Sequence, residues 1–124
     1  MKRSGFTLIE LIVVMAIIAT LLTIALPRYF GSVERSKEVT LRQSLNVMRE
    51  AIDKFNADNG RYPDKLEDLV AKRYIRAIPL DPITESAETW VIVPVPDTMA
   101  QGGVYDVRSG APGNTSDGKP FESL

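Results

Sequence analysis

The chain has 124 residues with 15 basic and 16 acidic side chains, a formal net charge of −1, and neither cysteine nor histidine. The lack of cysteine excludes a disulfide framework, a thiol nucleophile and a cysteine-ligated zinc site. The charge provides no basic field, so nucleic-acid binding is not expected. Because no nucleophile–base pair and no phosphate-binding glycine motif is present, an enzyme is the least expected class.

An apolar run extends from Phe6 to Leu26 and follows a short basic leader that contains Lys2 and Arg3. The polar residues within the run are Thr7, Glu10, Thr20 and Thr23. As a helix, the run would be roughly 31 Å long at about 1.5 Å per residue, which matches the hydrocarbon core of a bilayer. The positive-inside rule places the leader in the cytoplasm and the rest of the chain beyond the membrane.

Two interpretations of this segment compete. A secretory signal peptide has an apolar stretch of about 7–15 residues followed by a small-residue cleavage site. Here the run is longer, and no such site follows Leu26. The alternative is processing before the run, at Gly5-Phe6, which would leave the apolar helix in the mature protein.

The segment SGFTLIELIVVMAIIATLLTIALP resembles the class III signal of type IV pilins and type II secretion pseudopilins. The resemblance implies that a prepilin peptidase cuts after Gly5 and methylates the new terminus at Phe6. It also implies that Glu10 is the glutamate used in assembly and that Pro27 is the proline often found at the end of the membrane stretch.

Inserting the carboxylate of Glu10 into a bilayer costs about 2.5–3.5 kcal/mol of free energy on insertion scales. It could reach the headgroups in a monomer, or it could pair in a filament with the ammonium of a neighbouring Phe6 and thereby fix the register. We expect a monomeric anchor to have no use for this carboxylate. Pro27 is expected to kink or open the helix, or to end the membrane segment.

Beyond Pro27, apolar side chains recur at helical spacing and predict a face that packs on the protein's own domain. They are Leu41, Leu45, Met48, Ile52 and Phe55, with Val47 and Ala51 beside them. Charged residues are expected on the other faces: Arg35, Lys37, Glu38, Arg42, Arg49, Glu50, Asp53 and Lys54. We therefore expect one helix from about Phe6 to about Ala57, opened near Pro27 and stopped by Asn59-Gly60.

The remaining chain predicts a short helix and two strands. Asp64 is expected to cap the second helix, with Glu67 as its capping-box partner. The buried side of that helix is expected to be Leu66, Leu69, Val70 and Tyr74. Residues 89–93 and 104–108 favour strands, joined through a turn at 101–103. A loop from Ser109 to Leu124 follows, with Phe121 as its large apolar anchor.

The segments RYPDKLEDLV, AIPLDP and VYDVRSGAPG resemble the major pseudopilins of type II secretion. The resemblance implies an α+β fold in which a long N-terminal α-helix carries a short second helix and a small antiparallel β-sheet. It divides the chain into a leader at 1–5, a membrane and assembly helix at 6–27, and a globular domain at 28–124. ITESAE at 83–88 replaces the family's short aromatic-glycine turn.

Calcium is the one cofactor that the resemblance suggests, bound in the C-terminal loop. Asp117 is the only carboxylate within residues 109–118, and Asp106 and Ser116 are the other candidate ligands. Ca²⁺ needs about six to eight oxygen ligands with enough carboxylates to offset its charge. The shortage of carboxylates favours the alternative, in which Asp117-Gly118 is a turn and no cofactor binds.

The resemblance implies a structural subunit of a helical filament, the major pseudopilin that drives export of folded proteins. The alternatives are a type IV pilus major or minor pilin and, in another class, a monomeric membrane-anchored periplasmic binding domain. The implied partners are further copies of the chain, the prepilin peptidase, minor pseudopilins and an inner-membrane assembly platform. The implied location is the inner membrane before assembly, with a single pass, and a periplasmic or cell-surface filament afterwards.

Overall fold

The computed structural model describes residues 5–96 and 103–124. A long α-helix, α1, spans Leu8–Asn59, and a short one, α2, spans Glu67–Ala71. The strands are β1 at Trp90–Val93 and β2 at Asp106–Ser109, and a 3₁₀ turn closes the chain at Phe121–Ser123. The predicted α+β class is confirmed. Of the turn predicted at 101–103, residues 101 and 102 lie outside the described residues.

Helix α1 continues through Pro27, so the expectation that the helix opens there is wrong. A proline removes one backbone donor and crowds the carbonyl four residues earlier. The turns on either side keep their own hydrogen bonds, and these hold Pro27 within the helix. At the far end Gly60 has φ +69° and its N–H donates to the Asn56 carbonyl at 2.9 Å, which confirms the predicted stop.

The chain divides into two compact units, Met1–Glu34 and Arg35–Leu124. The second has a hydrophobic core built on the predicted face of α1. The buried residues of that face are Leu41, Leu45, Met48, Ala51, Ile52 and Phe55. Val47, by contrast, is 45% exposed and lies outside the core. Leu66, Leu69, Trp90, Val104, Val107, Ala111 and Phe121 complete the cluster.

The start of α2 differs from the prediction. The helix begins at Glu67 after Leu66, and no side chain caps it. Instead, the Asp68 carboxylate accepts the N–H groups of Asp64 and Lys65 at 3.1 and 3.4 Å. Asp68 therefore accepts the Asp64 N–H that a capping box would give to Glu67, and the Asp64 carboxylate lies 3.5 Å from the guanidinium of Arg61.

The sheet is a two-stranded antiparallel pair in which Trp90 lies opposite Ser109 and Val93 lies opposite Asp106. Both predicted strands are confirmed, but β1 begins one residue later than predicted, and β2 begins two residues later and ends at Ser109, which was assigned to the loop. Trp90 is buried, and its indole N–H donates to the Pro79 carbonyl at 2.8 Å. This bond satisfies the polar edge of a large core side chain, as buried tryptophans require.

Residues 81–86 form a closed turn around the fully buried carboxylate of Asp81. That carboxylate accepts the Ser109 hydroxyl at 2.5 Å and the N–H of Ile83 at 2.8 Å. Buried carboxylates are tolerated when hydrogen bonds replace the lost water. Asp81 thus joins the ITESAE segment to the end of β2.

Candidate assembly segment and C-terminal loop

Gly5 and Phe6 precede the first turn of α1. Phe6 is 85% exposed, and a Cβ added at Gly5 would meet open space. Both residues lie outside the helical hydrogen-bonded backbone, so a peptidase could reach this peptide bond without unwinding α1. Cleavage after Gly5 and methylation of Phe6 stay predictions.

Glu10 lies in the first turn of α1, where it has a local role that was not predicted. Its N–H donates to the Thr7 hydroxyl oxygen at 3.1 Å, which makes Thr7 the N-cap and Glu10 the third helical residue. A carboxylate in the first turn stabilises the helix macrodipole by about 0.3–1 kcal/mol. The expectation that Glu10 has no use in a monomer is therefore corrected. The T-x-x-E capping spacing in the sequence carried this signal.

The apolar part of α1 presents its side chains outward all around the helix. Exposure ranges from 73% at Leu8 to 44% at Val14, and this is the one helix among the described residues that is long and apolar enough to cross a membrane. The hydroxyls of Thr20 and Thr23 each donate to the carbonyl four residues earlier at 2.8 Å. Their donors are thus satisfied within the helix, as a bilayer interior requires.

In the second unit, the C-terminal loop is attached to α1 through Glu38. This carboxylate is only 7% exposed, and its two oxygens accept the N–H of Ser116 at 2.6 Å and the Ser116 hydroxyl at 3.0 Å. The loop itself turns at Ser116-Asp117, with the Gly118 N–H donating to the Thr115 carbonyl at 2.9 Å and φ of +82° at Gly118. The turn predicted at Asp117-Gly118 is confirmed.

Arg49 provides a second attachment about three helical turns farther along α1, on nearly the same face as Glu38. Its guanidinium donates to the Asp106 carboxylate at 2.8 Å, to the Val107 carbonyl at 3.0 Å and to the Leu124 carbonyl at 2.7 Å. One side chain on α1 therefore holds both β2 and the end of the loop.

The prediction that Glu38 and Arg49 lie on solvent faces is wrong. Glu38 precedes Leu41 by three residues and Leu45 by seven, so it continues the spacing of the buried face. The spacing therefore indicated that Glu38 is buried, but its charge favoured an exposed position. The buried carboxylate is retained because Ser116 supplies two hydrogen-bond donors.

The side chains proposed to hold calcium do not fit that role well. Asp106 is paired with Arg49, and Ser116 is bound to Glu38. Within 5–96 and 103–124, no group of three or more aspartate, glutamate, histidine or cysteine side chains could hold a metal ion. That no calcium binds stays a prediction, and the other partners of Asp106 and Ser116 support it.

We expect calcium to leave the stability of the soluble part of the chain, from about Arg28, unchanged. A bound ion would stabilise the fold by roughly 2.7 kcal/mol at a hundredfold excess over Kd. Thermal melting with calcium and with chelator, on the unmodified protein and on Asp117→Ala, measures this directly. An upward shift of several degrees in calcium that is lost in Asp117→Ala would establish the site instead.

Comparison with known proteins gives the family. The family described as "Prokaryotic N-terminal methylation motif" matches residues 1–26. "Type II secretion system core protein G" of Aeromonas hydrophila is 30% identical over 97 residues, which cover 65% of this chain and 68% of that protein. The Escherichia coli K12 protein of the same name is 28% identical, over 90% of this chain and 83% of its own length.

The protein of this name from Dickeya chrysanthemi is 26% identical over 94% of this chain and 95% of its own length. No solved structure matches the chain significantly. The methylation motif at the apolar N-terminus and the relatives that extend across the second unit point to the same group. The chain belongs to the type II secretion system core protein G family.

Proposed function

We propose that the chain is the major structural subunit of a helical pseudopilus in a type II secretion system. The observation that carries the proposal is the outward-facing apolar helix that lies within the methylation motif at residues 1–26 and continues, as α1, into the second unit. An apolar surface of this size is stable in a bilayer or against other copies of the same helix. The proposed subunit uses both environments in turn.

Before assembly the helix spans the inner membrane, with Lys2 and Arg3 on the cytoplasmic side and the second unit outside the cytoplasm. A prepilin peptidase cuts after Gly5 and methylates Phe6. The mature subunit then leaves the bilayer with the help of an assembly platform and joins a filament together with minor pseudopilins. Lengthening of that filament pushes folded proteins toward an outer-membrane channel.

Within the filament, the Glu10 carboxylate pairs with the ammonium of Phe6 on a neighbouring subunit. Both groups lie in an apolar surrounding, where an unpaired charge costs several kcal/mol and a paired one is tolerated. The pair therefore favours one axial register over its neighbours, as a single polar residue does in a coiled coil. In the free subunit the same carboxylate stabilises the start of α1, so Glu10 serves both states.

A type IV pilus subunit remains the alternative within the class, because the N-terminal motif is common to both filaments. The relatives named for type II secretion favour the pseudopilus. A monomeric membrane-anchored binding domain is the alternative from another class. Filament formation by the chain distinguishes it from such a monomer.

Processing is tested by the mass of the mature protein. We expect it to begin at N-methylated Phe6 when the prepilin peptidase is present. Gly5→Ala should slow the cleavage and Gly5→Leu should abolish it, because the peptidase must approach the backbone at the cut. A matched change outside the motif, Gly31→Ala, should be processed normally. An intact Met1, or cleavage beyond Leu26, would refute the proposal.

A further inference from the structure

We propose that Arg28, Tyr29 and Phe30 form the contact of this chain with the lipid headgroups on the non-cytoplasmic side of the membrane. The inference rests on the proposed function, in which α1 spans the bilayer before assembly. It adds the position at which the helix leaves the lipid and the side chains that hold it there.

Helix α1 is continuous from the apolar run into the residues beyond Pro27. Because the helix is unbroken at Pro27, each residue beyond it still advances about 1.5 Å along the axis. The run from Phe6 to Leu26 fills roughly 31 Å, close to the ~30 Å hydrocarbon core. Tyr29 and Phe30 then lie roughly 5 Å beyond the core, which is the depth of the headgroups in a bilayer of about 40–45 Å overall thickness.

Two large aromatic side chains are exposed at that level. Tyr29 is 63% exposed and Phe30 is 59% exposed, and their rings meet edge to face with centroids 5.8 Å apart. A tyrosine has an apolar ring and a polar hydroxyl, which suits an environment that is apolar at one end and wet at the other. The phenylalanine ring lies beside it, one residue farther along the same turn of the helix.

The charge pattern of the chain changes at this point. No charged residue occurs between Glu10 and Arg28, whereas Arg28, Glu34, Arg35, Lys37 and Glu38 follow within eleven positions. Arg28 can lay its aliphatic part along the apolar helix and place the guanidinium among lipid phosphates. At this depth the guanidinium of Arg28 can bind lipid phosphates. The hydroxyl of Tyr29 can contact the headgroups, and the ring of Phe30 can contact the adjoining acyl chains.

The chain has no cysteine, so a single introduced cysteine reports on one position. The full-length chain is placed at low density in vesicles of phosphatidylethanolamine and phosphatidylglycerol, with a spin label at Ala25→Cys, Gly31→Cys or Glu34→Cys. A Cβ added at Gly31 would meet no atom within 4 Å, so a label can be attached there without a clash. The rates at which each label collides with oxygen, which concentrates in the hydrocarbon, and with a nickel complex, which stays in water, are then compared. Their ratio gives the depth of the label in the bilayer.

We expect the Ala25 label to collide mainly with oxygen, and the Gly31 and Glu34 labels to collide mainly with nickel. Replacing both rings in Tyr29→Ser/Phe30→Ser should shift the depth of the Gly31 label. Tyr29→Trp/Phe30→Trp should retain the depth, and Val39→Ser/Val47→Ser, which removes exposed apolar side chains farther along α1, should also leave it unchanged.

A Gly31 label in the hydrocarbon, an Ala25 label in water, or an unchanged depth after loss of both rings would overturn the inference. A depth that depends on the protein-to-lipid ratio would assign the rings to a second copy of the chain and would also overturn it. Filament formation is scored separately in cells. Absence of filaments with the expected depths would count against the proposed function alone.

Discussion

Glu10→Leu should abolish or strongly reduce filaments while the protein still inserts into the membrane. Removing the carboxylate relieves about 2.5–3.5 kcal/mol of insertion cost, so insertion should be unchanged or improved. Assembly should fall about tenfold or more, because losing ~1.4 kcal/mol at one contact already changes an association constant tenfold. The measurements are filament yield in the sheared fraction and the amount of processed protein in membranes.

Two further variants separate the register role from the helix start. Thr7→Ala removes the hydroxyl that accepts the Glu10 N–H but keeps the carboxylate, and it should assemble. Glu10→Gln keeps the size and polarity but removes the charge, and it should assemble poorly. If Glu10→Leu gives filaments at the normal yield, or if Thr7→Ala fails as badly as Glu10→Leu, the pairing with Phe6 is wrong.

Glu38→Ala should destabilise the second unit by about 2–4 kcal/mol. Hydrogen bonds to a charged group contribute about 1.5–3 kcal/mol, and the substitution leaves the Ser116 N–H and hydroxyl without their acceptor. In a domain of this size, that loss corresponds to a fall in Tm of roughly 10 °C or more. Thermal and urea unfolding of a soluble form that begins at Arg28 provides the measurement.

Glu50→Ala is the matched control, because Glu50 lies exposed on the same helix and undergoes the same change. It should alter stability by no more than about 0.5 kcal/mol. Glu38→Gln should lose less than Glu38→Ala, since an amide can still accept from one Ser116 donor and donate to the hydroxyl. Equal unfolding curves for Glu38→Ala and the unmodified protein would show that the loop is held by packing alone.

The core of the second unit could be predicted from the sequence because its signal is local. The spacing of Leu41, Leu45, Met48 and Phe55 repeats at the period of a helix, and all four are buried. The strands were predictable for the same reason, since β-branched and aromatic residues cluster at 89–93.

The attachments of the C-terminal loop could not be predicted in this way. Glu38 binds a residue 78 positions away, and Arg49 binds partners 57 and 75 positions away. The helical period predicts the face on which a side chain lies but not its partner. A charged residue on a buried face is predicted to be exposed to solvent, because charged side chains usually are. The start of α2 was misassigned because Asp68, and not Glu67, accepts the Asp64 N–H, and no side chain caps the helix.

The central claim is that this chain builds a filament through its N-terminal helix. Electron microscopy of filaments sheared from cells that produce the chain and the prepilin peptidase tests it most directly. The filaments are labelled with a gold-coupled antibody against the second unit. The account predicts labelled filaments whose subunits begin at methylated Phe6, and their loss in Glu10→Leu. Membranes filled with the processed chain but free of labelled filaments would contradict it.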